Sequence, residues 1–148
     1  MTDQATPTYI FLDFDGVLRR NTSKPQVLDE SCLHCLILGL GPVDEPRIVV
    51  SSTWRLGMPL AEITARLPEP LSGMVCGITP EVGDARVYQR FAEIHAYCTK
   101  KGIATDEWIA IDDSAELYPP GTRLVLTDPA RGFDQASIVQ LWNLLDIA

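Results

Sequence analysis

The sequence predicts a three-layer α/β domain in which a five-stranded parallel sheet lies between two layers of helices. Short apolar runs rich in β-branched residues alternate along the chain with longer stretches of helical periodicity. Most of these runs are continuously apolar, as in strands that are buried on both faces. With 148 residues, the chain is long enough for one domain with a substantial core. Strands that alternate with helices in this way favour a parallel sheet covered on both sides.

Five apolar runs are the predicted strands. The second run follows Pro46 and is the clearest β-branched stretch in the chain. The third is short and is followed by a loop that opens at Thr79. The predicted strands span residues 9–12, 47–51, 73–78, 108–111 and 123–126.

Four stretches have the pattern of helices. The third of them is amphipathic, with Asp84 as a suitable N-cap and Gly102 as its stop. Its apolar residues, spaced by four, three and four, are Val87, Phe91, Ile94 and Cys98. The predicted helices span residues 27–40, 59–67, 84–101 and a last stretch from Asp134 or Ser137 to 145.

Composition and charge limit the classes of function. We expect a flexible tail at residues 1–8 and a single domain at residues 9–148. The formal net charge of −8 argues against a broad nucleic-acid footprint, although a locally basic site mouth remains compatible with it. No apolar run approaches the roughly 18–20 residues of a membrane span, and the first residues lack a secretory signal pattern. We therefore expect a cytoplasmic protein with no membrane partner and no obligate protein partner.

The cysteine pair Cys32-x-x-Cys35 has the spacing of a redox motif. It lies inside the first predicted helix, however, among apolar residues. We therefore interpret both thiols as part of a helix face rather than as a redox centre.

Oxygen-bearing side chains follow four of the predicted strands. Because the carboxyl ends of parallel strands meet at one edge of a sheet, these groups should converge in one crevice. They are Asp13 and Asp15, residues 51–53, Asp112 and Asp113, and Thr127 and Asp128. Carboxylates about 4 Å apart repel each other by roughly 1–4 kcal/mol, and a hard divalent cation such as Mg²⁺ would offset that cost. Hydroxyl and backbone N–H groups beside such an ion suit a phosphate oxygen.

Other interpretations of the same residues are simpler. Asp13 and Asp15 could be solvated acids in a surface turn, with Gly16 supplying a positive φ. No Ser-His-Asp set competes, because His34 and His95 both fall within predicted helices. The chain also has no glycine-rich phosphate loop of the G-x-x-x-x-G-K-S/T type.

Taken together, these motifs resemble those of the haloacid dehalogenase-like (HAD) superfamily, whose members are mostly phosphatases. Residues 13–18, Asp-Phe-Asp-Gly-Val-Leu, are similar to its first motif, residues 51–53 to its second, and Asp112-Asp113 to its fourth. The stretch R-x-x-E-I that begins at Arg90 resembles that of a small bacterial subgroup, which also has S-S-x-W-R and T-D-P segments. Domains of that subgroup occur alone and fused in bacterial RNA-repair proteins. The resemblance covers residues 9–145 and implies a Rossmann-like domain.

The resemblance also implies catalytic roles. Asp13 would be the nucleophile that forms an aspartyl-phosphate. Asp15 would protonate the leaving oxygen and then activate water. Arg90 would balance charge on the transferred phosphoryl group, with Arg86 and Lys100 as alternatives on the same helix.

Metal and phosphate ligands follow from the same resemblance. The implied Mg²⁺ ligands are Asp13, Asp15 through its backbone carbonyl, and Asp113, with Asp112 beside them or in the same coordination shell. The implied phosphate-binding residues are Ser52, Thr53 and Gly16, and the serine run allows a register shifted by one residue.

The resemblance bears on the substrate as well. Family members select substrates largely with cap domains, and the connections of this chain are too short to hold one. We therefore expect an open, capless phosphatase that admits a nucleic-acid end, a phosphoprotein or another exposed phosphate, contacted by Arg19, Arg20 and Arg55. A small-molecule (nucleotide or sugar phosphate) phosphatase and a non-catalytic binding or regulatory domain are the alternatives. A phosphoglucomutase-like transferase is less favoured because such members carry caps, and dehalogenase chemistry would not need the acidic cluster.

Two further residues have ordinary structural explanations. Trp54 is expected in the core rather than as a substrate platform, and Glu93 is expected to form a salt bridge on its own helix.

Overall fold

A computed structural model describes residues 6–83 and 87–147. The described part of the chain contains one five-stranded, all-parallel sheet with the strand order β3-β2-β1-β4-β5. This confirms the predicted three-layer, Rossmann-like architecture. The strands are β1 (Thr8–Leu12), β2 (Pro46–Val50), β3 (Val75–Ile78), β4 (Trp108–Asp112) and β5 (Leu124–Leu126).

The helices are short relative to the predicted stretches. They are α1 (Glu30–Leu40), α2 (Leu60–Ala65), α3 (Leu71–Met74), α4 (Gln89–Lys101) and α5 (Gln135–Leu144), with 3₁₀ turns at Thr53–Leu56 and Ala115–Leu117. In the described residues, the β1–β2 connection holds only α1, and the β3–β4 connection holds only α4. Neither connection contains a cap domain, as predicted. None of the described helices combines the length and the hydropathy that a membrane span requires.

The register of the sheet brings the strand ends to one level. Leu12, the last residue of β1, is paired with Val50 of β2 and with Ile111 of β4. The ladder continues past β1, since the backbone N–H of Asp13 donates to the carbonyl of Ile111 at 3.0 Å. The residues that follow β1, β2 and β4 therefore emerge side by side at the carboxyl edge.

The two faces of the sheet are covered by different helices. Ile10 and Leu12 of β1 belong to a buried cluster that includes residues of α1, α2 and α5. Phe11, which points to the opposite face, belongs to a second cluster with Ile94 of α4. All three β1 side chains are fully buried, and burial of such a side chain is worth about 1.5–3 kcal/mol. The central strand is therefore rigidly held, which fixes the position of the residue that follows it.

Several element boundaries differ from the prediction. Helix α4 begins at Gln89, after Tyr88 in a left-handed conformation with φ 56°, so Val87 precedes the helix and is exposed rather than part of its apolar face. The predicted N-cap Asp84 lies outside the described residues. Helix α3 occupies the start of the predicted third strand and shortens it. Thr8, assigned to the tail, is part of β1, and residues 1–5 of that tail lie outside the described range.

The cysteine pair lies on α1, as predicted. Both thiols are free, with Cys32 buried and Cys35 partly buried. Burial raises the pKa of the Cys32 thiol, which disfavours the reactive thiolate.

Candidate active site

The site lies where the winding of the sheet reverses. From β1 the chain crosses to β2 and β3 on one side, and it later returns to β4 and β5 on the other. In open α/β sheets, the crevice at the carboxyl ends of such neighbouring strands is the usual position of a ligand site. Asp13 follows β1, while Asp112 ends β4 and Asp113 follows it.

Three carboxylates meet in this crevice. One oxygen each from Asp13, Asp112 and Asp113 lies within 4.8 Å of the others. Asp13 is 5% exposed and Asp112 is fully buried, so water screens their repulsion poorly. A set of closely spaced carboxylate oxygens is the donor chemistry that Mg²⁺ favours, so these residues fit that ion.

The pKa values report the unbalanced charge of the cluster. Burial raises the pKa of Asp13 well above its usual range, and the neighbouring Asp112 raises it further. Burial, with a hydrogen bond and repulsion from Asp112, raises the pKa of Asp113 to about 6. A divalent cation among these oxygens would favour their ionised forms.

Arg90 is the cation that faces the cluster. Its Nη1 lies 3.3 Å from Asp13 Oδ1 and 3.6 Å from Asp112 Oδ2, and it also donates to the backbone carbonyl of Ser51. Burial lowers the pKa of its guanidinium, but Asp13 and Asp112 outweigh this effect and the net pKa is raised.

The two alternatives to Arg90 differ in position. Lys100 lies at the opposite end of α4, about 15 Å from Arg90 at 1.5 Å per helical residue, which places it away from the cluster. Arg86 lies outside the described residues.

Asp112 is held by a set of donors that the sequence did not reveal. Tyr118, which is buried, donates its hydroxyl to Asp112 Oδ2 at 2.8 Å. The backbone N–H groups of Asp113 and Ser114 donate to Asp112 Oδ1 at 2.8 and 3.2 Å. Asp112 is thus fixed in one orientation. No sequence motif includes Tyr118, because its side chain is brought to Asp112 only by the 3₁₀ turn that precedes it.

Gly16 makes room for Asp113. It has φ +79°, and a Cβ added to it would lie 2.1 Å from Asp113 Oδ2. Its backbone N–H donates to the carbonyl of Arg19 at 2.9 Å, and the phosphate contact of Gly16 stays a prediction. Its own carbonyl accepts from Thr127 Oγ1 at 2.7 Å. Close approach to Asp113 is therefore the physical reason for glycine here.

The Asp15 side chain lies outside the three-carboxylate group. It is 49% exposed and accepts hydrogen bonds from Trp54 Nε1 at 3.2 Å and from Arg19 Nη1 at 3.1 Å. Trp54 is buried in the core, as expected, but its indole N–H also orients Asp15. A metal contact through the Asp15 backbone carbonyl stays a prediction.

The polar residues after β2 differ in their surroundings. The Ser52 hydroxyl caps the following 3₁₀ turn by accepting from the N–H of Trp54 at 3.2 Å. Thr53 is exposed, whereas Ser51 Oγ is buried without a hydrogen-bond partner among the described residues. The phosphate contact at Ser52, or one residue earlier at Ser51, stays a prediction.

Arg55 requires a correction. Its side chain is only 3% exposed and forms an ion pair with Glu93 of α4, with an Nη2–Oε2 distance of 2.8 Å. It also donates to the backbone carbonyls of Thr79 at 2.9 Å and of Ser52 at 3.0 Å. A guanidinium engaged in this way is not available to a substrate. Glu93 therefore forms its ion pair with the turn after β2 and not with a residue of its own helix, contrary to the prediction. Arg55 and Glu93 are both buried where this turn packs against α4.

The other two predicted substrate contacts are also paired. Arg19 donates to Asp15 and to the carbonyls of the following loop, while Arg20 pairs with Asp29 at 3.2 Å. The Arg20 side chain is 49% exposed and can still meet a substrate. Arg19 instead forms part of the wall beside Asp15.

Residues 9–138 match the protein family described as the HAD domain in Swiss Army Knife RNA repair proteins. The matched span includes the three clustered carboxylates, Arg90 and Asp15. No curated protein and no solved structure matches the chain.

Proposed function

The chain belongs to the family of HAD domains in Swiss Army Knife RNA repair proteins, and from this premise we propose that it is a Mg²⁺-dependent phosphatase. Membership confirms the family resemblance of the sequence motifs. The observation that carries the proposal is the placement of Asp13 within 3.3 Å of Arg90 and among the carboxylates of Asp112 and Asp113. A nucleophilic carboxylate, a cation and a metal-binding donor set are the components that phosphoryl transfer requires.

The metal would be held by the carboxylates of Asp13 and Asp113, with Asp112 supporting them from its fixed position. When bound, Mg²⁺ would supply positive charge against the phosphoryl oxygens and reduce repulsion between them and the carboxylates.

The first step is attack by Asp13. A carboxylate oxygen of Asp13 forms a bond to phosphorus, and the bond from phosphorus to the leaving oxygen breaks. That oxygen keeps the bonding electrons and takes a proton from the carboxyl group of Asp15. Arg90 lies beside the attacking carboxylate and stabilises the negative charge on the transferred group.

The second step releases phosphate. A water molecule attacks phosphorus while the Asp15 carboxylate accepts its proton, and the bond from phosphorus to the Asp13 oxygen breaks. Inorganic phosphate leaves, and the Asp13 carboxylate and the Asp15 carboxyl group are restored.

The open crevice suits a phosphate at the end of a large molecule. No cap domain occupies the described connections, and the family name refers to RNA repair proteins, so we propose the phosphorylated end of a nucleic acid as substrate. The net charge of −8 favours a second candidate, a small nucleotide. Turnover of a phosphorylated oligonucleotide, a mononucleotide and a phosphopeptide separates them: equal or better turnover of the mononucleotide would reject the open-site substrate.

Catalysis itself is tested with a generic aryl phosphate. We expect Mg²⁺-dependent hydrolysis that Asp13→Asn lowers by about a thousandfold or more, as for loss of a nucleophile. Asp44→Asn, the same change at an exposed loop position before β2, is the matched control and should retain activity. Absence of hydrolysis in the unmodified protein would instead favour a non-catalytic binding domain.

A further inference from the structure

A cavity of about 380 Å³ is lined by Asp15, and Arg90 is not among its lining residues. One wall is the loop after β1, and the other is the turn after β2. The residues that shape it are Asp15, Arg19, Gln26, Trp54, Gly57 and Met58.

The loop wall of this cavity is held from both sides. Arg19 Nη2 donates to the carbonyl of Ser23 at 2.7 Å and to that of Lys24 at 3.0 Å. Arg66, just after α2, donates to the carbonyl of Gln26 at 3.3 Å. The cavity is thus formed before any ligand binds, which reduces the entropic cost of binding.

A second cavity of about 330 Å³ shares Thr53 with the first but has otherwise different lining residues. Arg90, Glu93 and Gly83 line it, whereas Asp15 does not. The two cavities therefore differ in which catalytic group they adjoin. The leaving oxygen must lie within hydrogen-bond reach of the group that protonates it, so the leaving group belongs on the Asp15 side.

We propose that the Asp15 cavity binds a nucleoside unit, namely the terminal sugar and base whose oxygen leaves phosphorus; this rests on the proposed function. The lining combines two apolar residues, Trp54 and Met58, with two polar residues, Gln26 and Thr53. Apolar surface suits the faces of a base, and the polar groups suit its edge or the sugar hydroxyls. The volume lies near the lower end of the roughly 300–1,000 Å³ of small-molecule sites, which suits one nucleoside rather than a longer strand.

Two glycines allow each cavity to be filled separately. Gly57 lines the Asp15 cavity and Gly83 lines the second one, and a Cβ at either position meets no atom of the described residues within 4 Å. Gly57 has φ −123°, which any residue adopts. Gly57→Leu and its matched control Gly83→Leu therefore add the same side chain to the lining of different cavities from positions where a Cβ is accommodated, and Gly57→Ala is a milder version.

The measurement is the ratio of kcat/KM on a phosphorylated dinucleotide to kcat/KM on glycerol phosphate. Dinucleotides phosphorylated at the 5′ or at the 3′ end are both used. We expect Gly57→Leu to lower the ratio by about tenfold or more for the accepted end, Gly57→Ala by less, and Gly83→Leu to leave it within about twofold. An unchanged ratio in Gly57→Leu, or a larger loss in Gly83→Leu, would overturn the assignment.

Binding separates this proposal from the proposed function. In the Asp13→Asn background, calorimetry with the same dinucleotides should show binding that Gly57→Leu weakens by about tenfold and Gly83→Leu does not. If this holds while the unmodified protein hydrolyses no phosphate, the phosphatase proposal fails and the nucleoside site stands. If phosphates are hydrolysed but Gly57→Leu leaves dinucleotide binding unchanged, the nucleoside site fails alone.

Discussion

At Asp13, burial and repulsion from Asp112 both raise the pKa of the carboxyl group, and Arg90 offsets them only in part. Asp13, Asp112 and Asp113 bring three carboxyl groups together, and Arg90 contributes one guanidinium within 4 Å of the first two. The raised pKa values of Asp13 and Asp113 indicate that Arg90 alone does not balance the cluster. The site is therefore arranged at the expense of stability, a cost that a bound cation would relieve.

This imbalance predicts a pH dependence of stability. A carboxyl group with a pKa raised on folding binds more protons in the folded than in the unfolded protein, so the free energy of unfolding falls as pH rises. For Asp113 the loss occurs between pH 3.8 and about 6, and the raised pKa of Asp13 adds a loss of the same sign. Without metal, we expect thermal melting temperatures to decrease over this range, and Asp13→Asn to reduce the slope.

Added Mg²⁺ should reverse the effect. At about 100 times the dissociation constant that it has at pH 8, Mg²⁺ should stabilise the protein by about 2.7 kcal/mol. The same Mg²⁺ concentration should stabilise it less at pH 5, because protons compete for the carboxylates. Melting curves with and without Mg²⁺ at both pH values measure this. Equal stabilisation at pH 5 and pH 8 would contradict a site formed by these acids.

Gly16→Ala should weaken metal binding. The new Cβ would lie 2.1 Å from Asp113 Oδ2, so Asp113 must move, and we expect about a tenfold or greater loss of Mg²⁺ affinity. Gly102→Ala is the control, because Gly102 also has a positive φ, +71°, but open space around its Cβ. Both variants should lose stability, and only Gly16→Ala should lose Mg²⁺ affinity in a titration. Equal affinities in the two variants would reject the role given to Gly16.

At the scale of elements, the Arg55–Glu93 pair joins the turn after β2 to helix α4. The carbonyl of Ser51 accepts hydrogen bonds from both Arg55 and Arg90. The end of β2 is therefore held both by Arg55, which is buried in the interior, and by Arg90, which faces the carboxylate cluster. Glu93 lies three residues after Arg90, on the same side of α4. The pair therefore helps to set the position of Arg90 relative to β2.

Removal of Glu93 should be costly. Glu93→Ala leaves the buried Arg55 without its counter-charge, and we expect a loss of about 3–5 kcal/mol in the free energy of unfolding. The control is Glu62→Ala, which breaks an exposed helical pair with Arg66 and should cost about 0.5 kcal/mol or less. Urea denaturation measures both, and similar losses in the two variants would show that the buried pair is not a structural link.

At the scale of the whole molecule, the fold collects acids from distant parts of the chain at one edge. The strand order β3-β2-β1-β4-β5 makes β1 and β4 neighbours although about a hundred residues separate them. The chain as a whole carries a formal charge of −8. This net charge opposes binding along a polyanionic strand and is compatible with recognition of a single phosphate end.

This charge predicts a weak salt dependence. Between about 50 and about 200 mM NaCl, kcat/KM on a phosphorylated oligonucleotide should change by less than about tenfold, because few phosphates are contacted. A protein that binds along the strand would lose about 10³–10⁵ in affinity over that range. The same substrate without its terminal phosphate should compete poorly for the site at any salt concentration. A steep loss of activity with salt would contradict end recognition.

The pattern of apolar runs and acidic strand ends in the sequence determined the architecture and the family. Strand alternation is a local property, and the residues Asp13, Asp112 and Asp113 follow strands that hydrophobicity alone identifies. Long-range packing decided the rest. Tyr118 reaches Asp112, Arg55 is directed into the interior toward Glu93, and Gly16 lies against Asp113, none of which has a local signature. A side chain's partner depends on which distant segment folds over it, so exposed arginines could not be distinguished from buried ones until the chain was folded.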